Sequence, residues 1–169
     1  MIINAASLLA LAPIKKMLAV KESAHGVTHG MSEAGYDIRI KQDIVFMPAG
    51  GTRVHDKILV NNDWTKVQSG RFVLASAIEE FDMPPFLTAI VHDKSTWARR
   101  GLSVFNTVIE PGWKGFLTLE LVYHGSKVLH IPAGSGIAQV VFHSTSDHAS
   151  YTGRYQNQED RPTEAKEIK

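Results

Sequence analysis

Short runs of alternating hydrophobic and polar residues recur along most of the chain. Tyr36, Ile38 and Ile40 alternate with charged residues, and the stretch 115–123 (GFLTLELVY) continues the same period of two. This period places hydrophobic side chains on one face of a β-strand. Further apolar runs of strand length lie at 71–76, 86–92, 127–131 and 137–142. The pattern therefore predicts a chain built mainly from short strands.

Turn-forming segments separate these runs. They are rich in Gly, Pro, Asp and Asn, and they lie at 48–51, 61–63, 82–85, 110–112, 124–125 and 132–134. Many short strands with regular turn signals are typical of an all-β barrel or sandwich. We expect only two short helical segments: residues 5–17, interrupted by Pro13, and residues 95–100, with Ser95 as the N-cap.

Length and charge favour one globular domain. The chain has 169 residues, 44% of them hydrophobic, and a formal net charge of +1. This length suffices for one domain with a substantial core, and the near balance of charge argues against binding to a nucleic-acid polymer. We expect a single domain over residues 1–158 and a polar tail over 159–169. The tail is either a frayed terminus or a lid that orders over a ligand.

The absence of cysteine limits the available chemistry. With no cysteine, the chain has no disulfides, no cysteine-based zinc or iron–sulfur site and no thiol nucleophile. His25 and His29 are spaced like metal ligands, but adjacent glycines indicate a loop, so no metal site is expected there. No apolar run approaches the roughly 20 residues of a membrane span. We therefore expect a soluble, cytoplasmic protein without a membrane partner.

The segment 94–101 (KSTWARRG) is a candidate phosphate site. In a helical turn, Ser95 and Arg99 share one face because they are four residues apart. A hydroxyl, a guanidinium and the Lys94 ammonium together suit a phosphate group. The alternative is a solvated basic turn.

Two glutamates are candidates for acid–base chemistry. Glu120 lies on the strand 115–123 between apolar neighbours, so partial burial would raise its pKa and fit it for proton transfer at neutral pH. The alternative is a solvent-facing glutamate on a one-sided sheet. Glu110 precedes Pro111-Gly112-Trp113, which presents an acid beside an aromatic ring or simply forms a turn.

Six segments in order resemble motifs of the dCTP deaminase and trimeric dUTPase superfamily. They are 34–37 (AGYD), 72–84, 94–102 (KSTWARRGL), 111–121 (PGWKGFLTLEL), 136–139 (GIAQ) and 151–158 (YTGRYQNQ). The fourth segment resembles deaminases rather than dUTPases, and the glycine-rich last motif of dUTPases is missing. The resemblance implies a distorted, jelly-roll-like β-barrel that assembles as a homotrimer with shared sites at the subunit interfaces.

The resemblance also implies how a nucleotide would bind. Lys94, Ser95, Arg99 and Gln139 would hold its phosphates. Arg154 and Gln158 would close over the outer phosphates, Tyr151 would lie near the nucleoside, and Trp113 would stand behind the deoxyribose. Mg²⁺ would bind through the triphosphate, and no zinc is expected.

Glu120 matches the catalytic glutamate of the deaminases. It would accept a proton from a water that attacks C4 of cytosine, with Ser95 and Arg99 orienting the water, and dCTP would become dUTP and ammonia. Glu110 stands where the superfamily usually has Asp, so it would either support pyrophosphate release to give dUMP or only brace the turn. The segment between Arg99 and Glu110 is shorter than in the family. This leaves two alternatives open: a dUTP or dCTP pyrophosphatase without deamination, and a catalytically silent nucleotide-binding regulator.

Overall fold

Strands dominate the computed structural model of the chain, which describes residues 1–47, 51–55 and 65–167. The predicted turns at 48–51 and 61–63 lie wholly or largely outside these residues. The described strands are β1 (Ile2–Ile3), β2 (Lys21–Ala24), β3 (Val27–Met31), β4 (Tyr36–Arg39), β5 (Asp43–Phe46), β6 (Gly51–His55), β7 (Thr65–Ser69), β8 (Phe72–Asp82), β9 (Leu87–Asp93), β10 (Leu102–Val104), β11 (Val108–Ile109), β12 (Lys114–Tyr123), β13 (Leu129–Ile131) and β14 (Gly136–Ser144).

The strands form three antiparallel sheets. The largest has the order β11-β9-β14-β4-β3-β2, and β1 also pairs with β14. The second has the order β10-β12-β8, and the third has the order β13-β5-β6-β7. The all-β prediction is therefore confirmed. The sheets do not close into one continuous barrel, in keeping with a distorted, jelly-roll-like arrangement.

In the residues that the structure describes, helix is confined to two short elements. Helix α1 (Ala5–Leu11) ends at Ala12, which adopts a left-handed conformation directly before Pro13, so the proline stops the predicted segment well before residue 17. Helix α2 covers Ser95–Ala98. Neither helix, nor any other in the described ranges, is long and apolar enough to cross a membrane.

The predicted N-cap of α2 is wrong by one residue. Lys94 is the N-cap, with an extended backbone and no capping bond from its side chain. Its carbonyl accepts hydrogen bonds from the backbone N–H groups of Trp97 and Ala98 at 2.9 and 3.0 Å. Ser95 is thus already helical. The Trp97 indole N–H donates to the Gly136 carbonyl at 2.7 Å, which fastens α2 to the start of β14.

The hydrophobic alternation sets which faces are buried. In β12, Leu119, Leu121 and Tyr123 are buried, whereas Glu120 and Val122 between them are partly exposed. In β4 the apolar residues are buried as predicted, but Asp37 is buried as well. On the polar face of β4, Asp37 is therefore covered by other parts of the chain, whereas Arg39 stays 30% exposed.

A bulge in β8 links two of the sheets. Phe116 pairs with Glu80 and Thr118 pairs with Ser76, so three residues of β8 lie opposite one residue of β12. Within this bulge Ala77 forms an isolated bridge to Ile40, next to β4. Such bulges bend a strand and redirect its side chains. This one turns Glu79 into the core, where its carboxylate accepts two hydrogen bonds from Arg39 of β4.

Candidate active site

A cavity of about 610 Å³ surrounds Glu120. Its walls come from β8, from the segment between β10 and β12, from β12 itself and from the C-terminal segment after β14. Five of the ten predicted site residues line it: Glu110, Trp113, Glu120, Tyr151 and Gln158. Positions more than 40 residues apart in the chain thus meet in one pocket, which we call the Glu120 pocket.

Glu120 is held at a partly buried position on β12. Burial raises the pKa of its carboxyl group, the direction expected from its apolar strand neighbours. Thr107 opposes this rise, because its hydroxyl donates to Glu120 Oε2 at 3.5 Å. A raised pKa makes a carboxyl group better suited to taking up and releasing protons at neutral pH than an ordinary glutamate.

Glu110 and Trp113 are presented by one tight turn. The backbone N–H of Trp113 donates to the Glu110 carbonyl at 3.1 Å, and Gly112 between them has a φ of 73°. The Glu110 side chain is exposed at the pocket. Trp113 is buried, and its indole N–H donates to the Tyr155 carbonyl at 2.7 Å. The indole is therefore a fixed wall of the pocket rather than a free hydrogen-bond donor.

The C-terminal segment crosses β12 at the edge of this pocket. Gly115 and Gln158 form a parallel bridge, and the Gln158 side-chain oxygen accepts from the Thr118 hydroxyl at 2.9 Å. A Cβ at Gly115 would lie 2.6 Å from the Gln158 nitrogen, and its φ is 130°. Only glycine permits this close approach.

The described part of the predicted tail packs against its own domain. Lys41 Nζ contacts the Asp160 carboxylate at 2.6 Å and its carbonyl at 2.7 Å. The Thr163 N–H donates to the Thr118 hydroxyl at 2.9 Å, and Thr163 lines the Glu120 pocket. Residues 168 and 169 of the tail lie outside the described residues.

A second, smaller cavity gathers three other predicted residues. Lys94, Ser95 and Gln139 line a space of about 260 Å³. The Lys94 ammonium forms an ion pair with the buried Asp37 carboxylate, and Gln139 donates to the Ser32 hydroxyl at 3.0 Å. We call this space the Lys94 pocket. Its donors, two lysines, an amide and hydroxyls, are of the kind that bind phosphate. Three carboxylates also line it, however, and Lys21 and Lys94 are already paired with two of them, Glu33 and Asp37.

Two predicted residues line neither pocket. Arg99 is exposed at the end of α2, where its backbone N–H donates to the Ser95 carbonyl at 3.1 Å. It therefore stands one turn after Ser95, as predicted. Arg154 is also exposed, and its guanidinium donates to the carbonyls of Lys166 and Glu167 at 3.3 and 3.2 Å.

Two residues of these pockets were not identified from the sequence. Asp37 belongs to the segment 34–37, which carries part of the family resemblance, but the pattern favoured an aspartate that caps a loop at the start of a strand and gave no sign of its pairing with Lys94. Thr107 lies in the segment that is shorter than in the family, and nothing in its surroundings signals a contact with Glu120. Both contacts depend on strand pairing across the fold.

Metal ligands are not clustered in the described ranges. No group of three or more His, Asp or Glu side chains is arranged there to hold a metal ion.

A family model described as dCTP deaminase-like matches residues 11–145. A dCTP deaminase of Campylobacter concisus is 37% identical over 162 residues, covering 86% of this chain and 87% of that protein. A dCTP deaminase of Roseiflexus castenholzii is 33% identical over 154 residues, covering 82% and 84%. These similarities extend over most of each chain.

Solved structures of the same type resemble the fold. A 2′-deoxycytidine 5′-triphosphate deaminase from Agrobacterium tumefaciens superposes with a TM-score of 0.56 at 20% identity, covering 83% of this chain and 46% of that one. The EIAV dUTPase superposes with a TM-score of 0.50 at 17% identity, covering 72% and 84%. At these identities the likeness concerns the fold.

Proposed function

The chain belongs to the dCTP deaminase-like family. We therefore propose that the Glu120 pocket is the site at which water replaces the amino group on C4 of dCTP, giving dUTP and ammonia. The observation that carries the proposal is the Glu120 carboxyl group. It lies in a cavity large enough for a nucleoside, and burial raises its pKa. The relatives that match most of the chain are dCTP deaminases.

The proposed reaction uses Glu120 to move protons twice. Glu120 accepts a proton from water as the water oxygen bonds to C4 of cytosine, and it delivers that proton to N3. It then moves the proton of the new hydroxyl group to the amino group. The C4–N bond breaks, ammonia leaves, and C4 becomes the carbonyl carbon of uracil. A carboxyl group with a raised pKa suits both directions of transfer.

The phosphates would be held by the residues of the Lys94 pocket. Ser95 and Gln139 supply donors there, and Arg99 stands one turn away. Lys94 would bind a phosphate only by sharing or leaving its ion pair with Asp37. Mg²⁺ would travel with the triphosphate as part of the substrate. Arg154 would reach the outer phosphates only after leaving its bonds to the tail carbonyls. Gln158 already lines the Glu120 pocket.

The separation of the two pockets favours a site shared between chains. Within one chain, Glu120 and Ser95 line different cavities. Beside the Glu120 pocket, Phe72, Phe105 and Val108 are 47%, 53% and 53% exposed, and the rings of Phe72 and Phe105 lie 6.3 Å apart. A contiguous exposed apolar patch is typical of a surface that a partner covers. We infer that a homotrimer places the Lys94 pocket of one copy against the Glu120 pocket of the next.

Mixed oligomers test this sharing directly. Glu120→Gln and Ser95→Ala are each expected to be nearly inactive alone. Oligomers assembled from equal amounts of both variants should regain about a quarter of the wild-type sites, because random mixing places an intact Glu120 opposite an intact Ser95 at that frequency. Ammonia release from dCTP measures the recovery. Glu120→Gln mixed with Glu120→Ala is the matched control and should recover nothing. Verified mixed oligomers that stay inactive would contradict a shared site.

The overall proposal is tested by product analysis. The purified chain is incubated with dCTP and Mg²⁺, and both ammonia and the nucleotide products are quantified. Ammonia with dUTP as the first product supports deamination. A folded, nucleotide-binding chain that releases no ammonia overturns it, and binding without any product would point to a silent regulator.

A second activity is favoured by the carboxylate of Glu110 in the same pocket. Glu110→Gln is expected to lower pyrophosphate release from dUTP or dCTP by about 10²–10⁴, the usual cost of losing a positioned proton acceptor, while ammonia release changes far less. Parallel assays of pyrophosphate and ammonia measure the split. Glu164→Gln, an exposed tail glutamate, is the control. An unchanged pyrophosphate rate would leave Glu110 as a turn residue only.

A further inference from the structure

The short connection between β10 and β11 fixes one hydroxyl group beside Glu120. Residues 105–107 join the two strands, and backbone hydrogen bonds hold both ends. The Phe105 N–H donates to the Glu120 carbonyl at 3.0 Å, and the Thr107 carbonyl accepts from the Val91 N–H of β9 at 3.0 Å. The connection that carries Thr107 is thus tied at Phe105 to the strand of Glu120 and at Thr107 itself to β9 of the neighbouring sheet.

The Thr107 hydroxyl lies between two acceptors. Its oxygen is 3.5 Å from Glu120 Oε2 and 3.4 Å from the Phe105 carbonyl. A hydroxyl has one proton to donate and can rotate to suit its partners. An ionised carboxylate is the stronger acceptor. The proton can therefore follow the charge of Glu120, facing the carboxylate when it is ionised and the carbonyl when it is protonated.

We propose that Thr107 is a positioning residue: its hydroxyl holds Oε2 of Glu120, so that Oε1 is left to accept the proton of the attacking water. The inference rests on the proposed deamination at this site. No catalytic contact with substrate is required of Thr107. Its effect is to restrict which oxygen acts and how the carboxylate plane is oriented, and small errors in such placement cost large rate factors.

The surroundings of Glu120 give this hydroxyl particular weight. The other titratable groups lining the pocket are Glu110 from the β11–β12 turn and Tyr151 and Tyr155 from the C-terminal segment. Within the described ranges, no Lys, Arg or His side chain lines it. A second copy would add Ser95 and Arg99 under the proposed sharing. On its own chain, Thr107 is the side chain whose hydrogen bond opposes the effect of burial.

Thr107→Val tests the role because it removes the hydroxyl and keeps the shape. We expect kcat for ammonia release to fall by about 10- to 100-fold, as for loss of a hydrogen bond to a charged group, with KM for dCTP little changed. Thr107→Ser should recover most of the lost rate. Thr88→Val is the matched control, because the Thr88 hydroxyl donates to the Ile109 carbonyl at 3.0 Å in the same region without facing the pocket.

A titration makes the test independent of turnover. The carboxyl carbons of ¹³C-labelled glutamate are followed by NMR in the full chain, with Glu120→Gln to assign the Glu120 signal. The pKa of Glu120 should be higher in Thr107→Val than in the wild type, and Thr107→Ser should lower it again. Equal titration curves and equal kcat in Thr107→Val and Thr88→Val would overturn the inference. So would a rate loss that Thr107→Ser does not repair. If the wild type releases no ammonia, the proposed function fails, and the titration still decides the contact.

Discussion

Glu120→Gln is expected to lower the rate of ammonia release from dCTP by about 10²–10⁴, the usual cost of losing a positioned proton-transfer group. Gln keeps the size of the side chain but cannot accept the proton of the attacking water. Nucleotide binding should be largely retained, because the phosphates are assigned to Lys94 and its neighbours. Steady-state assays together with calorimetric binding of dCTP measure the two effects separately. A variant that releases ammonia at the wild-type rate would remove Glu120 from the mechanism.

The pH dependence follows from the same group. Glu120 must be ionised to act as a base, and burial raises its pKa. The acidic limb of kcat should therefore have its midpoint above the pKa of an exposed glutamate. This acidic limb should be absent from the residual rate of Glu120→Gln. The profile is measured over the pH range in which the chain stays folded.

The raised pKa of Glu120 also predicts how Glu120→Gln changes the free energy of unfolding. In the folded chain the pKa of Glu120 lies above its value in the unfolded chain. The folded state therefore loses stability as the pH rises through that window, because the unfolded state ionises first. Gln has no charge to bury, so Glu120→Gln should unfold at an equal or higher urea concentration at neutral pH. An inactive but clearly destabilised variant would be uninformative about chemistry and would be replaced by Glu120→Ala.

Arg39→Ala is expected to cost about 3 kcal/mol of the free energy of unfolding, because removing one partner of a buried pair leaves an uncompensated charge. The Arg39 guanidinium donates to Glu79 Oε1 at 2.8 Å, and the Arg39 backbone N–H donates to Oε2 at 2.8 Å. The Glu79 side chain is only 3% exposed, against 30% for Arg39. Burial raises the pKa of Glu79, and the bonds from Arg39 oppose that rise.

A neighbouring ion pair provides the control. Lys15 and Glu80 also form a salt bridge, but their side chains are 52% and 37% exposed, and exposed pairs contribute about 0–1 kcal/mol. Urea unfolding of Arg39→Ala and Lys15→Ala is compared at equal protein concentration, since an oligomer gains stability with concentration. Glu79→Gln added to Arg39→Ala should recover part of the loss. Equal, small losses in both single variants would show that the Arg39–Glu79 pair contributes no more than a surface contact.

Much of the fold could be predicted because its cause is local. The period of two around Ile38 and along 115–123 reflects the geometry of a single strand, and the structure confirms β4 and β12 there. The end of α1 was also predictable, since Pro13 acts on the residues directly before it. The N-cap of α2 was not, because the choice between Lys94 and Ser95 depends on how the backbone enters the helix from β9.

The strand content, the family resemblance and the choice of Glu120 as the candidate base can be read from residue type and spacing along the chain, because each depends on nothing else. Which charges are buried and which site residues meet depends instead on the packing of the sheets. Lys94 pairs with Asp37 and Lys41 with Asp160, over separations of 57 and 119 residues. A charge is retained in the interior only where a partner compensates its desolvation, and such partners are brought together by the packing of the sheets. For the same reason, Thr107 contacts Glu120 only after β10 has paired with β12, because that pairing brings the connection between β10 and β11 beside Glu120.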